Sequence, residues 1–225
     1  MTIFLAGDST VAPAKPEEDP LTGWGEYLGE FVADLVCNLA VGGATTDSFV
    51  LEGRWDALLD GLRADDWVLI QFGHNDQKEP LALASNGGFR RRLESFVDDV
   101  RDRDAHPVLI TSVERRLFVD GELKRTHGPY VQTVRDLATR LEVPLIDANV
   151  FTRWLYEWLG EERSAELFVH LEPGVASAWP DGAEDNTHFN RDGARTVARF
   201  IACSLDGIRR LGEDEPAWGK WKERP

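Results

Sequence analysis

Cysteine is nearly absent from this chain: Cys37 and Cys203 are the only two in 225 residues. That rules out a small scaffold stapled by disulfides. Cys37 falls in an expected strand and Cys203 in an expected late helix, both in apolar surroundings where a thiol reads as a small core residue. Long apolar runs are missing too, since nothing approaches the roughly 20 residues that span a bilayer. The N-terminus shows no basic segment, apolar core and cleavage site of a signal peptide, so the expectation is a cytoplasmic protein. Positive charge is scarce. Against 40 Asp and Glu stand 25 Lys and Arg, for a net charge of −15, and only Lys15, Lys78, Lys124, Lys220 and Lys222 are lysines. So acidic a balance argues against a nucleic acid or an anionic membrane as partner. The histidines and acids have no zinc-like spacing, so no metal and no other cofactor is expected.

What is present is enough apolar matter for a core. Hydrophobic residues make up 42%, and the length suits one domain over residues 1–225. Residues 212–225 read as a polar tail in which Trp218 and Trp221 are a candidate homodimer contact. Short apolar runs alternate with longer amphipathic stretches, the pattern of a parallel sheet covered by helices. Strands are expected at about Thr2–Ala6, Leu35–Val41, Trp67–Phe72, Pro107–Val113 and Val143–Ile146. Helices are expected over about Gly23–Asp34, from a cap at Asp47 through Trp55 to Leu62, over Phe89–Val100, Tyr130–Leu141 and Phe151–Leu159, and from about Asn190 to Arg210. Trp154 and Trp158 sit on helical spacing and read as core, whereas the segment from about Ser164 to Asn186 reads as irregular. The expected fold is α/β: a three-layer α/β/α sandwich with a five-stranded parallel sheet, flavodoxin-like in type.

In such a sheet every strand points the same way, so residues just past the strand ends gather along one edge, where ligands bind. That edge should collect Gly7-Asp8-Ser9-Thr10, Gly42-Gly43, Asn75 and the pair Arg115-Arg116. Taken alone, the first of these suits either a nucleophile or a phosphate-cradling turn. Acyl transfer asks in addition for a base, an acid to orient it, and donors for the oxyanion. Asp185 and His188, three apart, can face each other so that the carboxylate fixes one ring nitrogen and the other takes a proton from Ser9. The backbone N–H groups of Ser9 and Gly43, with Gly42 as the alternative glycine, and the side-chain amide of Asn75 are suitable oxyanion donors. His74 reads as packing behind Asn75, and Asp76 as a support for that loop.

Gly7-Asp8-Ser9-Thr10, Gly42-Gly43, Gly73-His74-Asn75-Asp76 and Asp185-x-x-His188 together resemble the SGNH (GDSL-type) hydrolase superfamily. Gly23-Trp24-Gly25-Glu26-Tyr27-Leu28, Arg115-Arg116-x-Phe118, Thr126-His127-Gly128 and Asp185–Asn190 are similar, more narrowly, to its rhamnogalacturonan acetylesterase-like branch. The resemblance implies Ser9 as nucleophile, Asp185 and His188 as the acid–base pair, and Gly43 and Asn75 as oxyanion donors. It also implies removal of acetyl groups from a carbohydrate, with rhamnogalacturonan-derived oligosaccharides as the expected substrate. An acetylxylan or general short-chain esterase is the alternative, and a flavodoxin-like phosphate-binding module a distant one. The chain departs from the branch at Ala44-Thr45, where the branch often has Arg-Ser. For holding the sugar, Arg115 and Arg116 offer planar forks to a carboxylate, and Trp24 and Trp179 offer stacking faces.

Overall fold

In the computed structural model, which describes residues 1–177 and 179–213, the apolar runs of the sequence become a five-stranded parallel sheet. Its strands are β1 (Thr2–Gly7), β2 (Leu35–Asn38), β3 (Trp67–Gln71), β4 (His106–Ile110) and, after a small hairpin of β5 (Phe118–Val119) and β6 (Glu122–Leu123), β7 (Leu145–Ile146). The order across the sheet is β2-β1-β3-β4-β7. β1, β3 and β4 are covered on both faces, which is why they read as unbroken apolar runs rather than alternating ones. Phe4, Ala6, Val68, Ile70 and Leu109 point into one core, and Ile3, Leu5, Leu69, Val108 and Ile110 into the other.

The first core is closed by α1 (Thr46–Leu51), α2 (Arg54–Gly61), α3 (Arg90–Arg101) and α4 (Gly128–Arg140). Within it Trp55 stacks on Phe96 with 3.9 Å between ring centroids. The second is closed by α5 (Ala148–Ser164) and α6 (Arg191–Glu213), together with Trp24 and Leu28. The expected three-layer sandwich is what forms. Among the described residues no helix is long and apolar enough to cross a membrane.

Several local expectations do not hold. The helix over Gly23–Asp34 is instead two single 3-10 turns, Trp24–Glu26 and Leu28–Glu30. Glycine lowers helix propensity here and serves close packing instead: a Cβ on Gly25 would lie 2.4 Å from the carbonyl oxygen of Val11. The helix after β2 breaks into α1 and α2, and its cap is Thr45, which forms a reciprocal capping box with Ser48, while Asp47 pairs with Arg92. Cys37 and Cys203 are both exposed, one on edge strand β2 and the other on the outer side of α6. Trp154 and Trp158 are 57% and 64% exposed, stacked on each other along the outside of α5. The segment called irregular contains an antiparallel hairpin, β8 (Phe168–Leu171) with β9 (Ala183–Phe189). The expected contact of Trp218 and Trp221 lies outside the described residues.

Candidate active site

The turn after β1 is built on Asp8. Its buried carboxylate accepts from the Thr10 N–H (2.9 Å) and the Thr10 hydroxyl (2.8 Å), and its carbonyl accepts from the N–H groups of Val11 and Ala12. Burial alone would raise the Asp8 carboxyl, but His74 and the Thr10 donors outweigh it and hold the group below its ordinary value. This presents Ser9 at the carboxyl edge of the sheet. No α-helix follows, since the first begins at Thr46, so the turn lacks the helix N-terminus on which a phosphate cradle depends.

Ser9 Oγ lies 2.9 Å from His188 Nε2, and His188 Nδ1 lies 2.7 Å from Asp185 Oδ2. The other carboxylate oxygen of Asp185 accepts from the backbone N–H groups of Thr187 (2.7 Å) and His188 (2.9 Å). Burial would raise the Asp185 carboxyl, yet these bonds with His188 and Thr187 hold it down at about 2. The residues three apart therefore meet not on a helical turn but in a kinked part of β9, in a tight turn closed by the carboxylate itself.

The opposite wall comes from the loops after β2 and β3. Gly43 takes φ +80°, with nothing within 4 Å of where a Cβ would stand, while a Cβ on the adjacent Gly42 would lie 3.9 Å from Ser9 Cβ, which brings this turn up to the serine. Among the described residues the N–H groups of Ser9 and Gly43 donate to no protein acceptor. Asn75 Nδ2 donates to the Ala44 carbonyl (3.0 Å), and its Oδ1 accepts from Lys78 Nζ (2.8 Å). Lysine only donates and a carbonyl only accepts, so the two fix which end of the amide is the donor. Asp76 accepts from both the N–H and the hydroxyl of Thr46, tying the loop after β2 to the loop after β3. Its carboxyl is pushed up to about 6, chiefly by burial. Behind Asn75, His74 packs edge-on against His127, whose imidazole is driven down to about 2 by burial and by its neighbours His74 and Arg115.

The candidates for holding a sugar fare differently. Trp24 is fully buried and its Nε1 donates to Gln71 (3.0 Å), which in turn donates to Thr10 (2.6 Å), so it cannot stack on a ligand. Trp24→Phe should cost about 1–3 kcal/mol of stability, the penalty for leaving Gln71 Oε1 buried and unpaired. Urea unfolding would read this loss, while the KM for an oligosaccharide stays unchanged. Arg115 turns inward to the His74 carbonyl (3.2 Å). Arg116 is committed to Ser164, Glu161 and Asn186. Trp179, partly buried, lies in the loop between β8 and β9. Sequence reasoning gave no role to Lys78, which no motif contains, or to Asn186, which lies within the Asp185–Asn190 block but carries no chemistry that the motif reading uses.

Comparison with known proteins places the chain in a family. Residues 5–196 match the GDSL-like Lipase/Acylhydrolase family. The chain is 46% identical over 213 residues to the rhamnogalacturonan acetylesterase RhgT of Bacillus subtilis, covering 93% of this chain and 90% of that one. It is 28% identical over 229 residues to a rhamnogalacturonan acetylesterase of Emericella nidulans, covering 90% and 85%. Among solved structures, the YXIM protein of Bacillus subtilis superposes with a TM-score of 0.76 at 26% identity; the match takes in 94% of this chain but only 56% of that one. Axe2, an acetylxylan esterase from Geobacillus stearothermophilus, shares the fold with a TM-score of 0.60 at 18% identity, over 91% and 93%. With these matches running through almost its whole length, the chain belongs to the GDSL-like lipase/acylhydrolase family and is a carboxylic ester hydrolase.

Proposed function

We propose that this esterase removes acetyl groups from rhamnogalacturonan-derived oligosaccharides through an acyl-enzyme. The observation that carries the mechanism is the unbroken chain Ser9 Oγ, His188, Asp185, together with the N–H groups of Ser9 and Gly43, which among the described residues have no protein acceptor. His188 Nε2 takes the Ser9 proton as Oγ attacks the acetyl carbonyl, and Asp185 holds the ring in the tautomer that leaves Nε2 free. The oxyanion rests on the N–H groups of Ser9 and Gly43 and on the Asn75 amide. Collapse expels the sugar alkoxide, which receives the proton from His188. A water then enters, His188 deprotonates it, and a second tetrahedral intermediate releases acetate and restores Ser9.

The substrate follows the 46% identical relative, named as a rhamnogalacturonan acetylesterase. Trp179 is the remaining candidate for contacting the sugar. Acetate release from acetylated rhamnogalacturonan and acetylated xylan oligosaccharides tests this choice. The expected outcome is a kcat/KM at least tenfold higher on the pectic substrate, about 1.4 kcal/mol of transition-state preference. A preference for xylan would replace the substrate while leaving the esterase chemistry in place.

A further inference from the structure

The pairing of β8 with β9 leaves a gap where the acid–base pair sits. Leu171 lies opposite Ala183, His170 opposite Glu184 and Val169 opposite Asp185, but the next residue of β8, Phe168, lies opposite Phe189. Asn186, Thr187 and His188 therefore have no residue of β8 across from them. A bulge of this kind gives up ladder hydrogen bonds and bends the strand. The bonds from Asp185 to Thr187 and His188 shape the segment internally without attaching it to the rest of the protein.

Attachment comes through Asn186. Its carbonyl accepts from the Arg116 N–H (2.8 Å), and its side-chain oxygen accepts from Arg116 Nη1 (2.6 Å). His170 Nε2 lies 3.0 Å from the same side-chain oxygen, but His170 belongs to β8 and so moves with the hairpin. Arg116 does not. Its backbone continues from the buried run Thr111–Glu114 beyond β4. Its guanidinium is braced by Ser164 Oγ at 3.0 Å and by the Glu161 carbonyl at the end of α5. Ser164 is itself fully buried.

We infer that Arg116 is a positioning residue: it fixes the Asp185–His188 bulge to the sheet and to α5, and so sets the distance between His188 and Ser9. The inference rests on the reading of Asp185 and His188 as the acid–base pair. The leverage is short, because Asn186 adjoins Asp185 and precedes His188 by two residues, and a misplacement of about 1 Å in a reacting group can cost on the order of 100-fold in rate.

The test compares p-nitrophenyl acetate, which carries no sugar, with an acetylated oligosaccharide. Arg116→Ala should lower kcat by roughly 10- to 100-fold on both substrates with KM little changed. Arg116→Lys should recover only part of the loss, since a point charge cannot bridge Asn186 and Ser164 together. Guanidinium ion at millimolar concentration should restore turnover to the alanine variant, a rescue that a merely destabilised protein would not show. Asn186→Ala approaches the same link from the other side; it should reproduce the kcat loss, and adding Arg116→Ala should cost little more. Should Arg116→Ala fail to fold, Arg116→Lys and Asn186→Ala carry the test. A raised KM on the oligosaccharide with unchanged turnover of p-nitrophenyl acetate would overturn the inference and make Arg116 a substrate contact. Unchanged kcat in both Arg116→Lys and Asn186→Ala would overturn it as well. His188→Ala, run in parallel, separates the two readings: if it keeps wild-type turnover, the acid–base assignment fails rather than the strut alone.

Discussion

Ser9→Ala should abolish acetyl-ester hydrolysis, lowering kcat on the order of 10⁶-fold as removal of a triad nucleophile does elsewhere. What survives would be a residual acceleration of about 10³–10⁴ over water from the oxyanion donors and binding. The substitution removes one oxygen, whose hydrogen bond is to His188, and leaves the turn itself intact, because Asp8 and Thr10 hold it through their own bonds. Circular dichroism and the unfolding midpoint should therefore match the wild type. A fluorophosphonate should label the wild type at Ser9 and leave the variant unlabelled. Turnover within tenfold of wild type would place the nucleophile elsewhere.

Asp185→Asn is the second severe case, and here shape is conserved while charge and donor pattern are not. One oxygen can still accept from Thr187 and His188, so the local turn survives. Facing His188 Nδ1, however, an amide N–H₂ replaces an acceptor oxygen. The ring must then keep its proton on Nε2, the nitrogen that should receive one from Ser9. A loss on the order of 10⁴-fold in kcat is expected; a loss below tenfold would show that something else orients His188. The wild-type carboxyl, held at about 2, is ionised through the whole working range, so a fall in activity toward mildly acidic pH does not arise from Asp185. Its depressed value also contributes stability that is fully present above the ordinary carboxylate value of 3.8 and disappears as the pH drops toward about 2.

The central strands were legible because a parallel strand covered on both faces must be apolar throughout, as Ile3–Ala6 and Val68–Ile70 are. Parallel direction alone then brings Ser9, Gly43 and Asn75 to one edge. Side-chain burial around glycine-rich turns was not legible. Trp24 looked like a ring awaiting a sugar, and only the close packing of Gly25 against Val11 shows that this segment is pressed into the core. Helical spacing in α5 suggested a buried face for Trp154 and Trp158, but the helix leans on the sheet through Leu155, Tyr156 and Thr152 instead. The β8–β9 hairpin escaped notice because its second strand is mostly polar, Glu184 through His188, and owes its shape to Asp185 and Arg116 rather than to alternating apolar residues. A distant arginine that fixes a polar strand leaves no local pattern to read.

Ser9 and His188 stand 179 positions apart in the chain, and between them the four remaining strands of the parallel sheet are laid down. A chain growing from its N-terminus holds the serine and both glycines early, and completes the sheet once Ile146 has emerged. On the proposed mechanism it still has no base at that stage. The hydrolytic machinery is then withheld until the last hairpin closes, and a polypeptide truncated before β9 would hold all five strands of the sheet and an inert serine.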